Sequence, residues 1–343
     1  MGDTTGINWC DSTFNPWQGC TKISPACDHC YAERDTKRFG LVEWGAGKMR
    51  VRTGDANWRK PVQWNSRSDA FRECGSCGWR GDLGKRKEPL SLGCPVCGTT
   101  DWEPARRRVF CASLGDWLDN EVPIEWLVDL LDLIRLTPDL NWLLLSKRIG
   151  NLMPRLRAAG EHSRSMSVGL DDPLSVWINA WHNEHPPENV WLGATVIDQG
   201  EADRDIPKLL NVPAHVRFLS IEPMLGPIDL SRVQHLKALS WVICGGESGS
   251  GARPMSARWV RSLAGQCLLA NIPFLFKQWG EWAPFQREMA MVGSPATTRA
   301  GYAPATKMVD GVTMQRIGKK AAGRILDSVL YDGFPRKQGG TNE

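Results

Sequence analysis

Six short apolar runs, separated by helical patterns, constrain the fold of this chain more than any other feature. The runs are continuously apolar instead of alternating, as is typical of strands buried on both faces of a parallel sheet. They are RVFCAS (108–113), NWLLLS (141–146), NVWLGATV (189–196), HVRFLSI (215–221), WVICGG (241–246) and PFLFKQ (273–278). This repetition predicts an α/β fold with right-handed crossovers, either a barrel or a doubly wound sheet.

Amphipathic patterns between the runs predict the crossover helices. These cover residues 123–136, 150–158, 201–210 and 257–270. Ser256 is a candidate N-cap for the last helix, whose predicted apolar face consists of Val260, Leu263, Ala264, Cys267 and Leu268. Residues 283–343 carry Gly, Pro and charge without periodicity, which predicts a loop-rich C-terminal tail.

Polar side chains follow nearly every predicted strand. They are Asp116, Lys147, Arg148, Asp198, Gln199, Glu222, Glu247, Lys277 and Gln278. Loops are polar in any fold, but in a barrel all these groups converge on the carboxyl ends of the strands, where barrel enzymes hold their catalytic groups. The recurrence of this position after six strands favours the barrel.

The 343-residue chain contains 11 cysteines. Its first residues, MGDTTGINW, do not resemble a signal peptide, and no apolar run reaches the roughly 18 residues of a membrane span. We therefore expect a cytoplasmic protein with no membrane partner, in which cysteines serve as metal ligands or reactive thiols instead of disulfides. Cys111, Cys244 and Cys267 lie in apolar patterns and are predicted to be buried.

Four cysteines between residues 72 and 104 form two CxxC pairs, each followed by glycine. They are Cys74, Cys77, Cys94 and Cys97. Four thiolates from two tight turns predict a zinc ribbon, with an iron site of rubredoxin type as the alternative. The ribbon is either a structural insertion or a nucleic-acid contact, the latter favoured by nearby basic residues, namely Lys85, Arg86, Lys87, Arg106, Arg107 and Arg108.

Three further cysteines, Cys20, Cys27 and Cys30, lie in the polar run QGCTKISPACDHC. A polar, glycine- and proline-containing run suits a wrapping loop and not three buried thiols. Two interpretations remain: a second zinc site with Cys10 as fourth ligand, or a [4Fe–4S] cluster held by three thiolates with one iron open. An open iron is what radical chemistry with S-adenosylmethionine (SAM) requires, and Tyr31 is placed to pack against a bound nucleotide.

The cysteine run looks like the cluster loop of the radical SAM superfamily, with a first gap of six residues that is longer than usual. Longer strings, in order over most of residues 7–282, resemble the phage-associated three-Cys-motif protein family. They are NPWQGCTKISPACDHCYAER, ANWRKPVQWN, VFCASLGDWLD, LLLSKR, VWLGATV, VRFLSIEPMLGPIDL, WVICGGESGSGARPM and PFLFKQWGEW.

This resemblance implies a partial (β/α) barrel of radical SAM type with an inserted zinc ribbon. Residues 1–71 form its cluster-loop part, 72–104 the ribbon and 105–282 the remaining βα units. The cofactors implied are a [4Fe–4S] cluster on Cys20, Cys27 and Cys30, SAM, and zinc, with an external electron donor as partner. Gly245, Gly246 and Glu247 are then candidate SAM contacts, and Lys147, Arg148 and Glu222 are candidates for substrate contact or catalysis.

The phage association and the basic ribbon together favour a nucleic-acid substrate, in the host cytoplasm if the chain is phage-encoded. The specific expectation is isomerisation of N-linked glycinyl-thymidine in viral DNA to the C-linked form. A flipped base would enter the barrel mouth while basic residues hold the backbone. The alternatives are a radical SAM lyase that repairs damaged pyrimidines, and a non-catalytic DNA-binding protein with two zinc sites.

Overall fold

The computed structural model describes residues 4–38, 40, 42–85, 93–167, 172–285 and 304–335. Its strands, in chain order, are β1 (Ser12–Phe14), β2 (Trp17–Gln18), β3 (Val51–Arg52), β4 (Phe71–Cys74), β5 (Arg80–Asp82), β6 (Trp102–Pro104), β7 (Arg107–Cys111), β8 (Leu140–Ser146), β9 (Val190–Thr195), β10 (Val216–Ile221), β11 (Trp241–Gly245), β12 (Phe274–Gln278), β13 (Trp282–Pro284), β14 (Thr306–Val309) and β15 (Val312–Arg316). Its helices are α1 (Tyr31–Arg38), α2 (Asp55–Asn65), α3 (Ile124–Arg135), α4 (Leu152–Met166), α5 (Pro173–His182), α6 (Gln199–Leu210), α7 (Ala257–Leu269) and α8 (Lys319–Ala322).

Seven parallel strands form a half-barrel sheet in the order β1-β7-β8-β9-β10-β11-β12, flanked by helices. The order follows the chain in one direction and never reverses, whereas a doubly wound sheet reverses its strand order at a switch point. The mixed α/β fold is therefore compatible with a partial (β/α) barrel. All six apolar runs of the sequence are strands of this sheet, and β7 and β11 are buried along their whole length.

The helix signals in the sequence locate helices correctly but not always their ends. Ser256 caps α7 as predicted, since its side chain accepts the N–H of Arg258. Leu268 does not belong to the buried face of α7, because it is 81% exposed. The predicted helix over 150–158 corresponds to α4, which continues to Met166. The N-cap of α6 is Asp198, which accepts the N–H of Glu201 at 3.0 Å.

Local sequence signals missed three parts of the fold. Helices α2 and α5 were not predicted, and the described residues of the expected C-terminal loop region contain a three-stranded sheet, β13-β15-β14. Strand β14 is largely exposed, so it lacks the apolar run that marks a buried strand. Residues 286–303 and 336–343, also within the expected tail, lie outside the described residues.

The chain divides into two compact units. The first consists of Met1–Thr21, Thr36–Leu192 and Pro213–His215, and the second of Lys22–Asp35, Gly193–Val212 and Val216–Glu343. Buried tryptophans occupy the core of each: Trp117 and Trp142 in the first unit, Trp241 in the second. No described helix combines the length and the apolar character needed to cross a membrane.

Candidate metal centres

Four cysteines converge in a small antiparallel sheet, β5-β4-β6, inserted ahead of β7. The sulfur atoms of Cys74, Cys77, Cys94 and Cys97 all lie within 4.8 Å of one another. The Cys74–Cys97 and Cys77–Cys94 sulfur pairs are each 3.6 Å apart. Zn–S bonds of about 2.3 Å place tetrahedral ligand sulfurs roughly 3.8 Å apart. The four residues can therefore bind a metal ion such as zinc.

Both cysteine pairs are shaped by a tight turn that ends in glycine. The N–H of Gly78 donates to the carbonyl of Cys74 at 2.8 Å, and that of Gly98 to Cys94 at 2.9 Å. Both glycines have positive φ angles, +73° and +76°, which a side chain rarely tolerates. This geometry explains why each CxxC pair in the sequence is followed by glycine.

Buried ion pairs attach the inserted sheet to the amino ends of β1 and β7. Arg80, on β5, donates to Asp11 Oδ1 at 3.1 Å and also pairs with Glu73. Arg107 lies 3.8 Å from Asp82 and stacks over the Phe71 ring, with 4.5 Å between the guanidinium carbon and the ring centroid. These contacts place the inserted sheet at the amino edge of the parallel strands.

Two of the three arginines in the run Arg106–Arg108 are buried and do not present their charge to a nucleic acid. Arg107 and Arg108 are 5% and 7% exposed, and burial lowers the pKa of Arg108 to about 10 despite the nearby Asp11 carboxylate. Arg107 also donates to Ser12 Oγ at 3.0 Å, so its charge is used internally. Only Arg106 of the three is exposed. The side chains of Lys85, Arg86 and Lys87 lie outside the described residues.

Cys20 lies in the first unit, beyond the carboxyl ends of β1 and β7. The preceding residue, Gly19, forms a bridge with Gly115, and its N–H donates to the carbonyl of Leu114 at 3.1 Å. The half-buried Cys20 sulfur accepts an N–H from Arg148 at 3.4 Å. Burial first, and then the Asp116 carboxylate, raise the pKa of Cys20 to about 12. A metal that binds this thiol must therefore displace its proton.

A second arginine fixes the same stretch of chain. Arg50 is fully buried and pairs with Asp119 at 2.8 Å, while its Nη2 donates to Thr21 Oγ1 at 2.7 Å. The Thr21 hydroxyl in turn donates to Glu121 at 2.8 Å. The residues around Cys20 are thus held by ion pairs and hydrogen bonds from several segments of the first unit.

Cys27 and Cys30 lie in the second unit, on a half-buried loop that begins with a capped helical turn. Ser24 caps the turn Pro25–Cys27, and its hydroxyl donates to the buried Glu201 carboxylate at 2.6 Å. Tyr31 begins α1 directly after the loop and is 45% exposed.

Arg253 connects this loop to the motif GGESGSGARP. Its guanidinium holds the 5%-exposed Glu247 carboxylate through Nε at 2.9 Å and Nη2 at 2.7 Å. The same guanidinium donates to the carbonyl of Pro25 at 2.8 Å and to Asp28 at 3.1 Å. The Cβ that a side chain at Gly251 would add lies 2.5 Å from the His29 ring, so this glycine permits the close packing of the motif on the loop.

The residues predicted to contact SAM, Gly245, Gly246 and Glu247, contact other residues of the second unit. Both carboxylate oxygens of Glu247 accept hydrogen bonds from Arg253. Glu247 therefore helps to position the cysteine loop by holding Arg253. A Cβ at Gly246 would lie 1.9 Å from the carbonyl of Trp279, and one at Gly245 would lie 2.9 Å from Glu222. Close packing within the second unit therefore accounts for both glycines.

The predicted catalytic candidates differ in how they are engaged. Glu222 forms an ion pair with Lys277 at 2.8 Å and accepts from Ser220 at 3.2 Å. Arg148 is occupied by Asp116 and Cys20. The backbone N–H of Lys147 donates to Asp116 at 3.0 Å, and within the described part of the chain its ammonium group forms no hydrogen bond or ion pair.

Cys10 lies at the opposite edge of the first unit from Cys20. It precedes β1, next to Asp11, whose N–H donates to the carbonyl of Arg108 at 2.9 Å at the amino end of β7. Cys20 follows the carboxyl ends of β1 and β7. The two ends of these strands are several residues, and therefore roughly 10 Å or more, apart along the strand direction. The alternative in which Cys10 and Cys20 ligate one zinc ion is therefore not supported.

Sequence reasoning missed the residues that position the cysteines. Arg50 and Arg253 lie in the strings GKMRVRTG and GARPM, where nothing local distinguishes a buried arginine from a surface one. Asp116 was recognised only as one of the polar groups after strands. Its buried pairing with Arg148 depends on contacts between segments 32 residues apart in the chain.

Comparisons with known proteins place the chain in a family without assigning a reaction to it. No curated protein and no solved structure matches the sequence. One family model matches residues 4–335, nearly the whole chain. The chain therefore belongs to the family described as "Protein of unknown function (DUF5131)".

Proposed function

We propose that this chain is a radical SAM enzyme whose [4Fe–4S] cluster is ligated by Cys20, Cys27 and Cys30. The observation that carries the proposal is that charged groups hold the cysteines in both units. They are the buried Arg50 and Arg148 in the first unit, and the partly exposed Arg253 on the buried Glu247 in the second. Arg148 and Arg50 hold the stretch around Cys20, and Arg253 holds the loop of the other two cysteines. Buried charges are costly, so their use on a loop points to a site that must be kept in one geometry.

The donor set suits this cofactor. Three half-buried thiols, with Cys20 beyond the carboxyl ends of parallel strands, match a cluster that keeps one iron open. When bound, such a cluster supplies the electron for reductive cleavage of SAM to methionine and a 5′-deoxyadenosyl radical. The chain's own residues hold the thiolates, exclude water and place the substrate near SAM.

We propose zinc as the metal of the four-cysteine ribbon. The sulfur separations of 3.6 Å fit tetrahedral ligation, and four cysteines close the coordination sphere. The ribbon joins the amino edge of the sheet through Arg80 and Arg107, away from the end that carries Cys20. This placement supports a structural role for its metal.

For the substrate, we propose a modified thymine in phage DNA, and specifically N-linked glycinyl-thymidine. In its isomerisation, hydrogen leaves the glycyl Cα, the bond between nitrogen and the base methylene breaks, a bond from Cα to that methylene forms, and hydrogen ends on nitrogen. This balance needs no net oxidant. The ammonium group of Lys147, in the first unit, is a candidate for holding the glycyl carboxylate.

The first test is metal analysis with electron paramagnetic resonance on anaerobically reconstituted, dithionite-reduced full-length protein, with and without SAM. We expect about four irons and one zinc per chain, and a reduced [4Fe–4S] signal that changes when SAM is added. The variant Cys20→Ala/Cys27→Ala/Cys30→Ala should lose the iron and retain the zinc. Cys267→Ala, which removes a buried thiol on α7, is the matched control and should retain both. Two zinc ions and no iron signal would contradict the enzyme proposal.

The substrate proposal is tested separately, with DNA that carries N-linked glycinyl-thymidine, SAM and a reductant. Nucleosides released from the DNA are analysed by liquid chromatography and mass spectrometry. Isomerisation predicts a product of unchanged mass and new retention time. Conversion of photodamaged pyrimidines without any change in the glycinyl nucleoside would instead support the lyase.

A further inference from the structure

Arg148 is held rigidly beside a candidate cluster ligand. It follows β8 almost directly, and its backbone N–H donates to Ser146 Oγ at 2.8 Å. Its side chain is 9% exposed. One Nη1–H contacts Cys20 Sγ at 3.4 Å, and Nη2 donates to the carbonyl of Thr21 at 2.7 Å. The guanidinium therefore contacts both the sulfur of Cys20 and the backbone immediately after it.

The orientation of this guanidinium is set by Asp116. Arg148 Nη1 lies 3.1 Å from Asp116 Oδ2. The carboxylate is itself fixed by Ser146 Oγ at 2.7 Å and by the N–H groups of Lys147 and Leu118, each at 3.0 Å. A donor anchored in this way keeps its direction when the charge on the sulfur changes.

A fixed N–H donor on a ligand sulfur has a known physical effect. It withdraws electron density from the sulfur, and a nearby positive charge stabilises the more negative, reduced form of a cluster. The buried setting strengthens both effects, because water screens the charge less there. The Asp116 carboxylate opposes the charge effect, so the hydrogen bond to the Cys20 sulfur is the contribution that belongs to Arg148 alone.

We propose that Arg148 is a positioning residue that raises the reduction potential of the cluster ligated by Cys20. This inference rests on the proposed function. In this role, Arg148 sets how readily the cluster accepts an electron from an external one-electron donor. Arg148 is not proposed to contact the substrate.

The test is a redox titration of the reconstituted full-length protein, followed by electron paramagnetic resonance and normalised to iron content. Arg148→Met should make the ratio of reduced to oxidised cluster about tenfold smaller at a given potential, which is a midpoint lower by about 59 mV. Arg148→Lys keeps the charge but not the planar pair of donors, so its midpoint should lie between the two. Arg155→Met is the matched control: Arg155 is a partly buried arginine of α4 that donates to the carbonyl of Val122 at 2.9 Å, and its loss should leave the midpoint unchanged.

An Arg148→Met protein with full iron content and an unchanged midpoint would overturn this inference and leave the proposed function standing. An equal shift in Arg155→Met would also overturn it. If Arg148→Met does not retain iron, Arg148→Lys decides: a lower midpoint supports the inference and an unchanged one overturns it. Wild-type protein that holds no reducible cluster overturns the proposed function, and this inference with it.

Discussion

A buried carboxylate and a partly exposed arginine hold the loop that carries Cys27 and Cys30. Glu247 is almost inaccessible to water, and its carboxylate is neutralised by Arg253, which is 30% exposed. Arg253 also satisfies a loop carbonyl, that of Pro25. One side chain therefore supports both the buried carboxylate and the cysteine loop of the second unit.

Arg253→Met is expected to lower the free energy of unfolding by about 2 kcal/mol, because it leaves the Glu247 carboxylate buried without its ion-pair partner. The measurement is urea unfolding followed by tryptophan fluorescence. Arg261→Met is the matched control. Arg261 pairs with Asp327, and both are about half exposed, so its loss should cost less than about 1 kcal/mol. Equal losses of unfolding free energy in the two variants would show that the Arg253–Glu247 pair contributes no more to stability than the exposed pair.

Burial also changes the meaning of a basic run. Arg107 lies between the ribbon and the sheet, where it stacks over Phe71 and pairs with Asp82. A guanidinium can form such contacts because it is planar and weakly hydrated. Consecutive arginines at a strand therefore indicate a nucleic-acid surface only if they are exposed.

At the scale of elements, a single carboxylate connects two helices. Asp172 caps α5 by accepting the N–H groups of Leu174 at 3.4 Å and Ser175 at 2.9 Å. It also accepts a hydrogen bond from the Ser163 hydroxyl of α4. The Ser163 hydroxyl, followed by these backbone N–H groups, lowers the pKa of Asp172 below its ordinary value of 3.8.

This pKa direction predicts how stability depends on pH. The carboxylate is favoured in the folded state, so its contribution is complete above about pH 4 and is lost as the pH falls through the lower folded pKa. Asp172→Ala should therefore cost about 1 kcal/mol at pH 7, as for a lost helix cap, and progressively less below pH 4. The measurement is the thermal midpoint of both proteins between pH 2 and 7. Ser163→Ala should show a smaller change of the same sign, and a difference that does not depend on pH would contradict the assignment.

At the scale of the molecule, the inserted four-cysteine sheet and the strands β1 and β7 form one connected structure in the first unit. The three short strands of the inserted sheet, β4, β5 and β6, have little core of their own. Arg80 of β5 pairs with Asp11, and Asp82 of β5 pairs with Arg107, at the amino ends of β1 and β7. Metal binding in a small domain of this kind contributes directly to folding. A metal bound by the four cysteines is therefore expected to support the strands β1 and β7 as well.

Removal of the metal from the four cysteines by a chelator is expected to lower the thermal midpoint of the first unit by roughly 4–8 °C. This range corresponds to the loss of about 2 kcal/mol from buried ion pairs in a unit of this size. The metal released is quantified with a colorimetric zinc indicator in parallel with the melting curve. Cys74→Ala/Cys97→Ala removes two of the four ligands, and its midpoint should already be low and insensitive to the chelator. Zinc release without a change in the wild-type midpoint would show that the ribbon folds independently of the sheet.

The sequence predicted the repeating architecture because that information is local. Strands such as β7 and β11, buried along their length, carry continuous apolar runs, and the N-cap of α7 is a serine next to its helix. The same reasoning failed for β14, whose residues are mostly exposed. It also misplaced Leu268, because a helical face read from spacing alone does not show where the neighbouring elements end.

By itself, the sequence determined the α/β repetition and the grouping of four cysteines, because strand burial and the turns around CxxC pairs depend on residues close together in the chain. Only the tertiary structure decided which charges are internal. Arg148 and Cys20 are 128 residues apart in the chain, and Arg253 and Pro25 are 228 apart. An arginine that pairs across such a distance has the same local sequence signal as one on the surface. Only folding brings the partner next to the arginine, and the partner determines whether that arginine has an internal role.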